Sequence, residues 1–545
     1  MLDPIPLPFQ GMGSRKRLLM TAFTQTQLKR LMAVHGWSGT VLGLLLYAVV
    51  LTGIVVVFAH ELEVWSIGGT SHSHPFGPGL DAKVRPFIDK MSKGYQREIS
   101  INDGIRGELT VFPHANVLNS ATGWNEAYGS MFILNADTGE LLQRRDGFVY
   151  HDTHWYVDSA LEHFLVDLHV QLYVPSPWGL ILTGVLGLLM ISTGISGLIL
   201  HRHMIRDLFV PERSGQRLVS FRDRHVLAGT WGLIFAFLLG FTGAYFSFSG
   251  TVVYPLLLET AFGGDQDKAS ETLYAPLVMS DPSSARLASL DEMIADSTMR
   301  AGAPVNFISI KNYGRRDAVV RIYHPAPSGE LVYKQTVYDG TTGAFQYFKP
   351  DVGRLPSSGS LINGLMWPLH TGDFAGVLSK AVWVGLGSAM AFVVISGLRL
   401  WVRRREDEPL WQRFGRAVTV VGYGLPVAML MCAYAYFLAL GAAADEFWWT
   451  PAGFLIGLTP GVVPGFVARD EDSLRRFYRL LLGIGLILLP VVRMATGGLD
   501  WATAIAQGQG TVLSVDLTLL LLGAGLVWWA RRMHALPTPE PTPAE

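Results

Sequence analysis

The sequence predicts a polytopic α-helical membrane protein of about eight spans, with two α+β domains inserted in a tandem helix–domain–helix repeat. Three observations predict it. Of 545 residues, 50% are hydrophobic and only 16% are charged, at a mean hydropathy of +0.30, whereas soluble domains carry about 25% charged residues. The apolar residues gather in runs near the roughly 20 needed to cross a bilayer. Two long hydrophilic stretches between those runs carry strand-and-turn patterns.

The runs lie near 37–58, 178–200, 227–248, 379–401, 416–438, 449–467, 477–494 and 512–530. They divide the chain into an N-terminal segment 1–34, a first span 35–59 and a first inserted domain 60–165. A histidine-bearing segment with the second span follows at 166–204, then a loop 205–224 and a third span 225–250. The second inserted domain is 251–368, and its own histidine segment and fourth span are 369–402. A loop 403–415, a four-helix extension 416–533 and a tail 534–545 complete the chain. No small-residue cleavage site follows the first apolar run, so that run is expected to remain as an anchor.

Basic residues set the expected sidedness. Arg15, Lys16 and Arg17 precede span one, and Arg202, Arg206, Arg213, Arg217, Arg222 and Arg224 fill the loop before span three. Arg403, Arg404 and Arg405 follow span four, Arg469, Arg475 and Arg476 precede span seven, and Arg531 and Arg532 end span eight. The alternate short loops, 441–448 and 495–510, contain no Lys or Arg. An excess of Lys and Arg marks the cytoplasmic side. Both termini are therefore expected in the cytoplasm, and both inserted domains outside it.

In the inserts, 129–147 alternates apolar and polar residues around Asp137-Thr138-Gly139, and 330–348 repeats the design around Asp339-Gly340 and Thr342-Gly343. Each reads as a β-hairpin. The stretch 281–300 places Leu287, Leu290 and Ile294 on one helical face.

The strongest signal is internal repetition. Span one reads His35, Gly39-Thr40, Thr52-Gly53, Phe58; span three reads His225, Gly229-Thr230, Thr242-Gly243, Phe248, at identical offsets. Leu168-His169 precedes Ile195-Ser196-Gly197-Leu198 just as Leu369-His370 precedes Ile395-Ser396-Gly397-Leu398. The copies run parallel, so a pseudo-twofold axis along the membrane normal is expected.

His35 and His225 stand at the inner ends of their spans, and His169 and His370 on the outer side. Ionisable groups in spans are costly and face a bundle interior. Neutral imidazole is a strong iron ligand, and facing bundle helices are a usual place to hold haem. The pattern suits two six-coordinate haem b groups, His35 with His225 and His169 with His370. Gly39, Gly43 and Gly53, with Gly229, Gly232, Gly240 and Gly243, remove bulk beside them or serve helix contact. His201 ends span two where the repeat has Trp401, and stands as a second candidate for an inner position. His60 ranks third. His151 and His154, with His163, form a candidate substrate mouth. His72, His74, His114, His324 and His534 read as solvated surface residues.

Cys432 is the lone cysteine. This excludes internal disulfides, a thiolate-held cluster and covalent haem attachment. The net charge of −1 gives no reason to expect nucleic acid. No GxGxxG fingerprint follows a strand, so no nicotinamide or flavin site is expected. Asp500 and Asp516 read as structural in the extension, and Arg493 as interfacial.

The units HGWSGTVLGLLLYAVVLTG, DLHVQLYVPSPWG, ISGLILHRHMIRDLF, RDRHVLAGTWG and PLHTGDFAG, taken in order, resemble the PepSY-associated transmembrane family over roughly residues 24–405. The hairpins around NADTGE and YDGTTG resemble its outer PepSY-type domains. The resemblance implies a haem protein of the bacterial inner membrane with periplasmic inserts, acting in iron uptake as a reductase of ferric siderophores. It implies haem ligation by His35, His169, His225 and His370; the electron donor, a quinol or a cytoplasmic reductase, is not identified by it. Two other functions fit the same residues. One is a haem-bearing membrane subunit for a separate soluble reductase, of sulfite or another small oxidant. The other is a non-catalytic sensor or assembly protein. The C-terminal extension departs from the short members of the family.

Overall fold

Among the described residues, eight helices are long and apolar enough to cross a membrane: Gln25–Val56, Trp178–Leu200, Leu233–Phe262, Gly376–Arg403, Pro409–Gly441, Glu446–Val467, Glu471–Ala495 and Gly510–Arg532. They are spans one to eight below. The computed structural model describes residues 23–70, 75–104, 106–120, 124–149, 152, 159–201, 217–274 and 278–532. Each expected run lies in or across one of these helices, and polar caps carry several ends beyond the apolar stretch. Thr24 and Gln27 form a capping box at the start of span one, and Asp445 and Asp470 cap spans six and seven through their side chains. The expected span 227–248 straddles a joint at Gly232, because a helix Arg217–Trp231 precedes span three.

Small residues let paired helices approach to backbone contact. A Cβ on Gly240 would stand 2.9 Å from the Gly187 carbonyl, one on Gly424 2.4 Å from Gly461 O, and one on Gly523 2.6 Å from Gly483 O. These contacts join spans two and three, five and six, and seven and eight.

The two inserts form a single antiparallel sheet of eight strands among the described residues: β1 (Glu98–Asp103), β2 (Glu108–Asn119), β3 (Trp124–Asn135), β4 (Leu141–Phe148), β5 (Phe307–Lys311), β6 (Val319–His324), β7 (Lys334–Asp339) and β8 (Phe345–Phe348). Their order is β4-β3-β2-β1-β5-β6-β7-β8. Both inserts therefore lie on one side of the spans. The expected hairpins are β3–β4 and β7–β8, with Gly139 and Gly343 at φ 74° and 70° in their turns. The β1–β5 seam registers Ile99 against Ile310 and Ile101 against Ile308, which share one buried core with the helices Leu80–Ile88 and Leu290–Ala301.

The two insert helices also cap each other. Leu80 N–H donates to Asp291 Oδ1 at 2.8 Å, and Leu290 N–H donates to Asp81 Oδ2 at 2.9 Å. The two expected α+β units are thus fused about a pseudo-twofold. The helix expected over 281–300 begins at Leu290, where Ser289 caps it.

Two surface assignments need correction. His114 is buried and shares its Nδ1 with Phe112 O at 2.9 Å. His324 is fully buried, with Nε2 2.6 Å from Ser297 Oγ and Nδ1 2.8 Å from Ala303 O. His324 continues the inward alternation of Val320 and Ile322, whereas His114 stacks on Phe112 on the face opposite Val111, and hydrogen bonding makes a neutral imidazole acceptable in both places. His72, His74 and His534 lie outside the described residues.

The insert boundaries also shift. The helix Ala59–Ile67 belongs to the membrane bundle, as fully buried Trp65 packs edge-on to Phe437 of span five at 5.0 Å. Arg493, expected at the interface, is wholly buried and pairs with Asp516 at 2.7 Å. Asp516 also accepts from the indoles of Trp65 at 2.7 Å and Trp501 at 2.9 Å. One carboxylate thus bolts spans seven and eight to the helix that follows span one.

Removing one partner of a buried pair leaves an uncompensated charge. Asp516→Ala is therefore expected to destabilise the protein by about 3–5 kcal/mol, read as a lowered melting temperature in detergent; an unchanged melting temperature would refute this role. Burial holds the His114 and His324 imidazoles below their ordinary protonation range. A histidine kept neutral in the fold contributes stability above its unfolded pKa of about 6.5, and that stability is lost as pH falls. The melting temperature should drop between pH 7.5 and 5.5, and His324→Gln should flatten that slope.

Candidate functional site

His35 and His225 sit on the first member of each repeat unit, and His169 and His370 in the last turn of a short helix before the second member. Those short helices are Ala160–Gln171 and Ser358–Thr371, capped by Ser159 and Ser357 and stopped by left-handed residues, Leu172 at φ 53° and Gly372 at φ 71°. They turn their histidines inward against the spans.

Every one of the four rings meets a hydroxyl–glycine pair on the other member of its own unit. His35 Nδ1 lies 2.8 Å from Ser196 Oγ, and His169 Nδ1 lies 3.0 Å from Val49 O and 3.3 Å from Thr52 Oγ1. In the second unit, His225 Nδ1 lies 3.0 Å from Ser396 Oγ and 3.1 Å from Val393 O, and His370 Nδ1 lies 2.8 Å from Thr242 Oγ1. The adjacent glycines lie against the rings. A Cβ on Gly53, Gly197, Gly243 or Gly397 would have a histidine Cε1 as its nearest neighbour, at 2.9, 3.7, 3.4 and 3.1 Å.

Proton accounting then fixes the tautomer. A hydroxyl has one proton to give. Ser196 gives it to Thr193 O at 3.0 Å, Thr52 to Ala48 O at 2.8 Å, Thr242 to Leu238 O at 2.8 Å and Ser396 to Val393 O at 3.1 Å. Each oxygen can then only accept from the histidine, so all four imidazoles are Nδ1–H donors. Their Nε2 atoms carry the lone pair and bond to no described residue. A ring held this way through its far nitrogen is the usual arrangement of a metal-binding histidine.

The rings gather across the units. The imidazoles of His169 and His370 have centroids 6.2 Å apart and planes at 32°. Two imidazoles facing through one metal, at about 2.0–2.1 Å per nitrogen, place their centroids about 6 Å apart. His35 and His225 line one cavity of about 360 Å³ in the opposite half of the bundle, inside the size range of small-molecule pockets, about 300–1,000 Å³. Its wall includes Gly39, with nothing within 4 Å of a Cβ, and Gly229, with only Val393 near 4 Å. The glycines thus divide by role: Gly240 serves helix contact, whereas Gly39, Gly53, Gly229 and Gly243 give room beside the histidines. The cavity lining contains Arg222, Arg404 and His201 and no carboxylate. No group of three or more His, Cys, Asp or Glu that could hold a bare metal ion occurs among the described residues. The donor sets are pairs of imidazoles, which fit a planar macrocycle that supplies four equatorial nitrogens of its own.

His201 caps span two and lines this cavity, outside the repeated clamp. His60 is 65% exposed, with its Nδ1 3.9 Å from Glu63, and joins neither pair. His163 lies 3.7 Å from Asp167 on the surface of its helix. His151 and His154 lie outside the described residues. The hydroxyl partners were not singled out from sequence, although Thr52-Gly53, Thr242-Gly243, Ser196-Gly197 and Ser396-Gly397 were the repeated dipeptides themselves. Arg222 and Arg404 were read only as topology signals.

Eight spans, a fused outer sheet and two interlocked histidine pairs define a membrane protein built on a duplicated helix–domain–helix unit. The chain belongs to the family described as the PepSY-associated TM region, whose model matches residues 32–404. All four histidines fall within that match and the extension falls beyond it. An uncharacterized protein of Pseudomonas aeruginosa is 26% identical over 411 residues, covering 69% of this chain and 96% of its own length.

The glycine contacts give a graded test. Gly53→Ala places a methyl 2.9 Å from the His169 ring, and overpacking of this kind costs about 1–3 kcal/mol. Gly197→Ala meets His35 only at 3.7 Å and should be nearly neutral. Equal thermal shifts in the two variants would overturn this reading of the clamp.

Proposed function

We propose that this protein is a transmembrane oxidoreductase that holds two b-type haems, one between His35 and His225 and one between His169 and His370, and reduces ferric iron in a chelate on the sheet side. The observation that carries the reading is the fourfold clamp, with the His169 and His370 rings 6.2 Å apart in one half of the bundle and His35 and His225 lining one cavity in the other. Bound there, haem supplies one-electron chemistry by cycling between Fe(III) and Fe(II).

The chain's own residues have separable tasks. Ser196, Thr52, Ser396 and Thr242 orient the imidazoles and make them more basic through the Nδ1–H bond. Gly53, Gly197, Gly243 and Gly397 let the rings lie against the opposing helix. Arg222 and Arg404 put positive charge, and His201 a ring nitrogen, on the wall of this cavity, where they would hold the carboxylates of an inner haem. The apolar walls exclude water.

The Lys and Arg bias supports a cytoplasmic side opposite the sheet, and so a periplasmic sheet in a bacterial inner membrane. A quinol in the bilayer or a cytoplasmic reductase would supply the electrons. Reduction lowers the charge on iron and weakens its hold on hard oxygen ligands, which suits release from a ferric siderophore. The family resemblance supports that substrate.

The test is absorbance of the purified protein with a haem-to-protein ratio. Two haems per chain are expected, with one lost in His169→Ala or His370→Ala and the other in His35→Ala or His225→Ala. Thr242→Val, which removes the acceptor of His370, should weaken retention of the outer haem by about 10–100-fold. Protein without a b-type spectrum, or haem content indifferent to all four histidines, would sink the proposal. An Fe(II)-trapping assay on ferric siderophores then tests the substrate.

A further inference from the structure

Each outer histidine is held a second time, through the backbone of the short helix that bears it. A helix leaves its last four carbonyls without partners of its own, and an unpaired carbonyl is costly where water is excluded. Val170 O and His370 O are two such carbonyls. Each finds its donor on the span that follows. Thr183 of span two has its Oγ1 2.7 Å from Val170 O, nearer than Leu180 O and Gly179 O in its own turn at 3.0 and 3.2 Å. Trp383 of span four donates from Nε1 to His370 O at 3.1 Å. Thr183 precedes Ser196 by the same interval as Trp383 precedes Ser396, so the two donors occupy one place in the repeat.

The donors differ in kind. Thr183 meets Ser247 Oγ of span three at 3.2 Å. The Trp383 indole lies against Gly372, where a Cβ would stand 2.6 Å from the ring, and edge-on to Phe235 and Phe374 at 5.3 Å each. Gly372 also ends the His370 helix at φ 71°, so it serves both the turn and the wedge.

A side chain fixed only at its tip can pivot, and one fixed only at its root can change rotamer. His169 and His370 are fixed at both. Their Nδ1 atoms bond to spans one and three, and their helices bond to spans two and four. The two ring planes meet at 32°. His35 and His225 lie inside helices, where the backbone ladder already fixes the root.

We infer that Thr183 and Trp383 are positioning residues which, acting with the clamps, set the angle between the outer imidazole planes and with it the spectroscopic signature of the outer haem. This inference rests on the haem reading above.

The test is electron paramagnetic resonance of the ferric full-length protein, whose low-spin signals report the angle between axial imidazole planes. The outer signal is assigned in His35→Ala, which is expected to retain the outer haem alone. Thr183→Val keeps the volume and Trp383→Phe keeps an aromatic wedge, and each removes the donor. Both variants are expected to keep two haems per chain and to shift and broaden the outer signal, with the inner signal unchanged. Thr183→Ser, which keeps the hydroxyl, should return the wild-type signal. Should Thr183→Val not fold, Trp383→Phe carries the same test. Two bound haems with an outer signal identical to wild type in these variants, or with an equal shift in the inner signal, would overturn the inference and leave the haem reading standing. Protein that binds no haem would overturn both.

Discussion

A hydroxyl whose proton is committed to its own helix can only accept from a neighbour, and the arrangement in the membrane depends on that. Ser196, Thr52, Ser396 and Thr242 each bond a carbonyl three or four residues back. This satisfies the serine or threonine in an apolar setting, where an unpaired hydroxyl is expensive. It also leaves an oxygen facing the imidazole that permits one tautomer only. The interaction settles ring orientation, proton position and helix spacing together, since the adjacent glycine brings the ring against the opposing backbone. A histidine without it would be a buried polar group free to turn.

Within each unit the clamp is mutual. The first member holds the outer histidine of the second, and the second holds the inner histidine of the first. Each unit is therefore tied within itself by its own clamps, and each histidine pair draws one ring from either unit. The sheet makes the same association outside the membrane. The β1–β5 seam and the reciprocal caps of Asp81 and Asp291 join insert to insert, as His169 facing His370 joins unit to unit. Fusing the inserts into one core makes the separation of the units cost burial on the sheet side as well as in the bilayer.

What could be read from the sequence follows from range. Spans and hairpins are local, so periodicity and turn residues marked them, and the identical offsets from His35 and His225 exposed the duplication. The partners of those histidines lie 117 to 171 residues away, and no local pattern names them, even though the dipeptides were visible as repeats. Strand pairing between inserts is also non-local: nothing in Ile99 or Ile310 says that they face each other. His324 was misjudged because the hydroxyl that satisfies it, Ser297 Oγ, lies 27 positions earlier on a helix, and His114 because its stacking on Phe112 depends on the covered face of the sheet. Arg493 and Asp516 looked like separate end residues because 23 positions divide them. The cations lining the cavity were hidden by their other role, since Arg222 and Arg404 also serve the charge bias of the loops.

The extension breaks the symmetry that the repeat creates. It grips the first unit through groups the second unit lacks. Tyr47 donates to Gly422 O of span five at 2.8 Å, and the residue at the same offset from the second histidine is Phe237, which has no hydroxyl. Trp65 donates to Asp516 of span eight, and its counterpart is Pro255, which has no indole. The helix bearing His169 buries Leu161, Phe164, Leu165 and Leu168 in one core with span five and span seven residues, and Phe164 meets Phe454 of span six at 5.4 Å. Outside the family match, the chain thus braces the first copy through several elements and meets the second along span four, where Trp401 lies 6.1 Å from Trp411. Each histidine pair combines a ring from the first copy with a ring from the second.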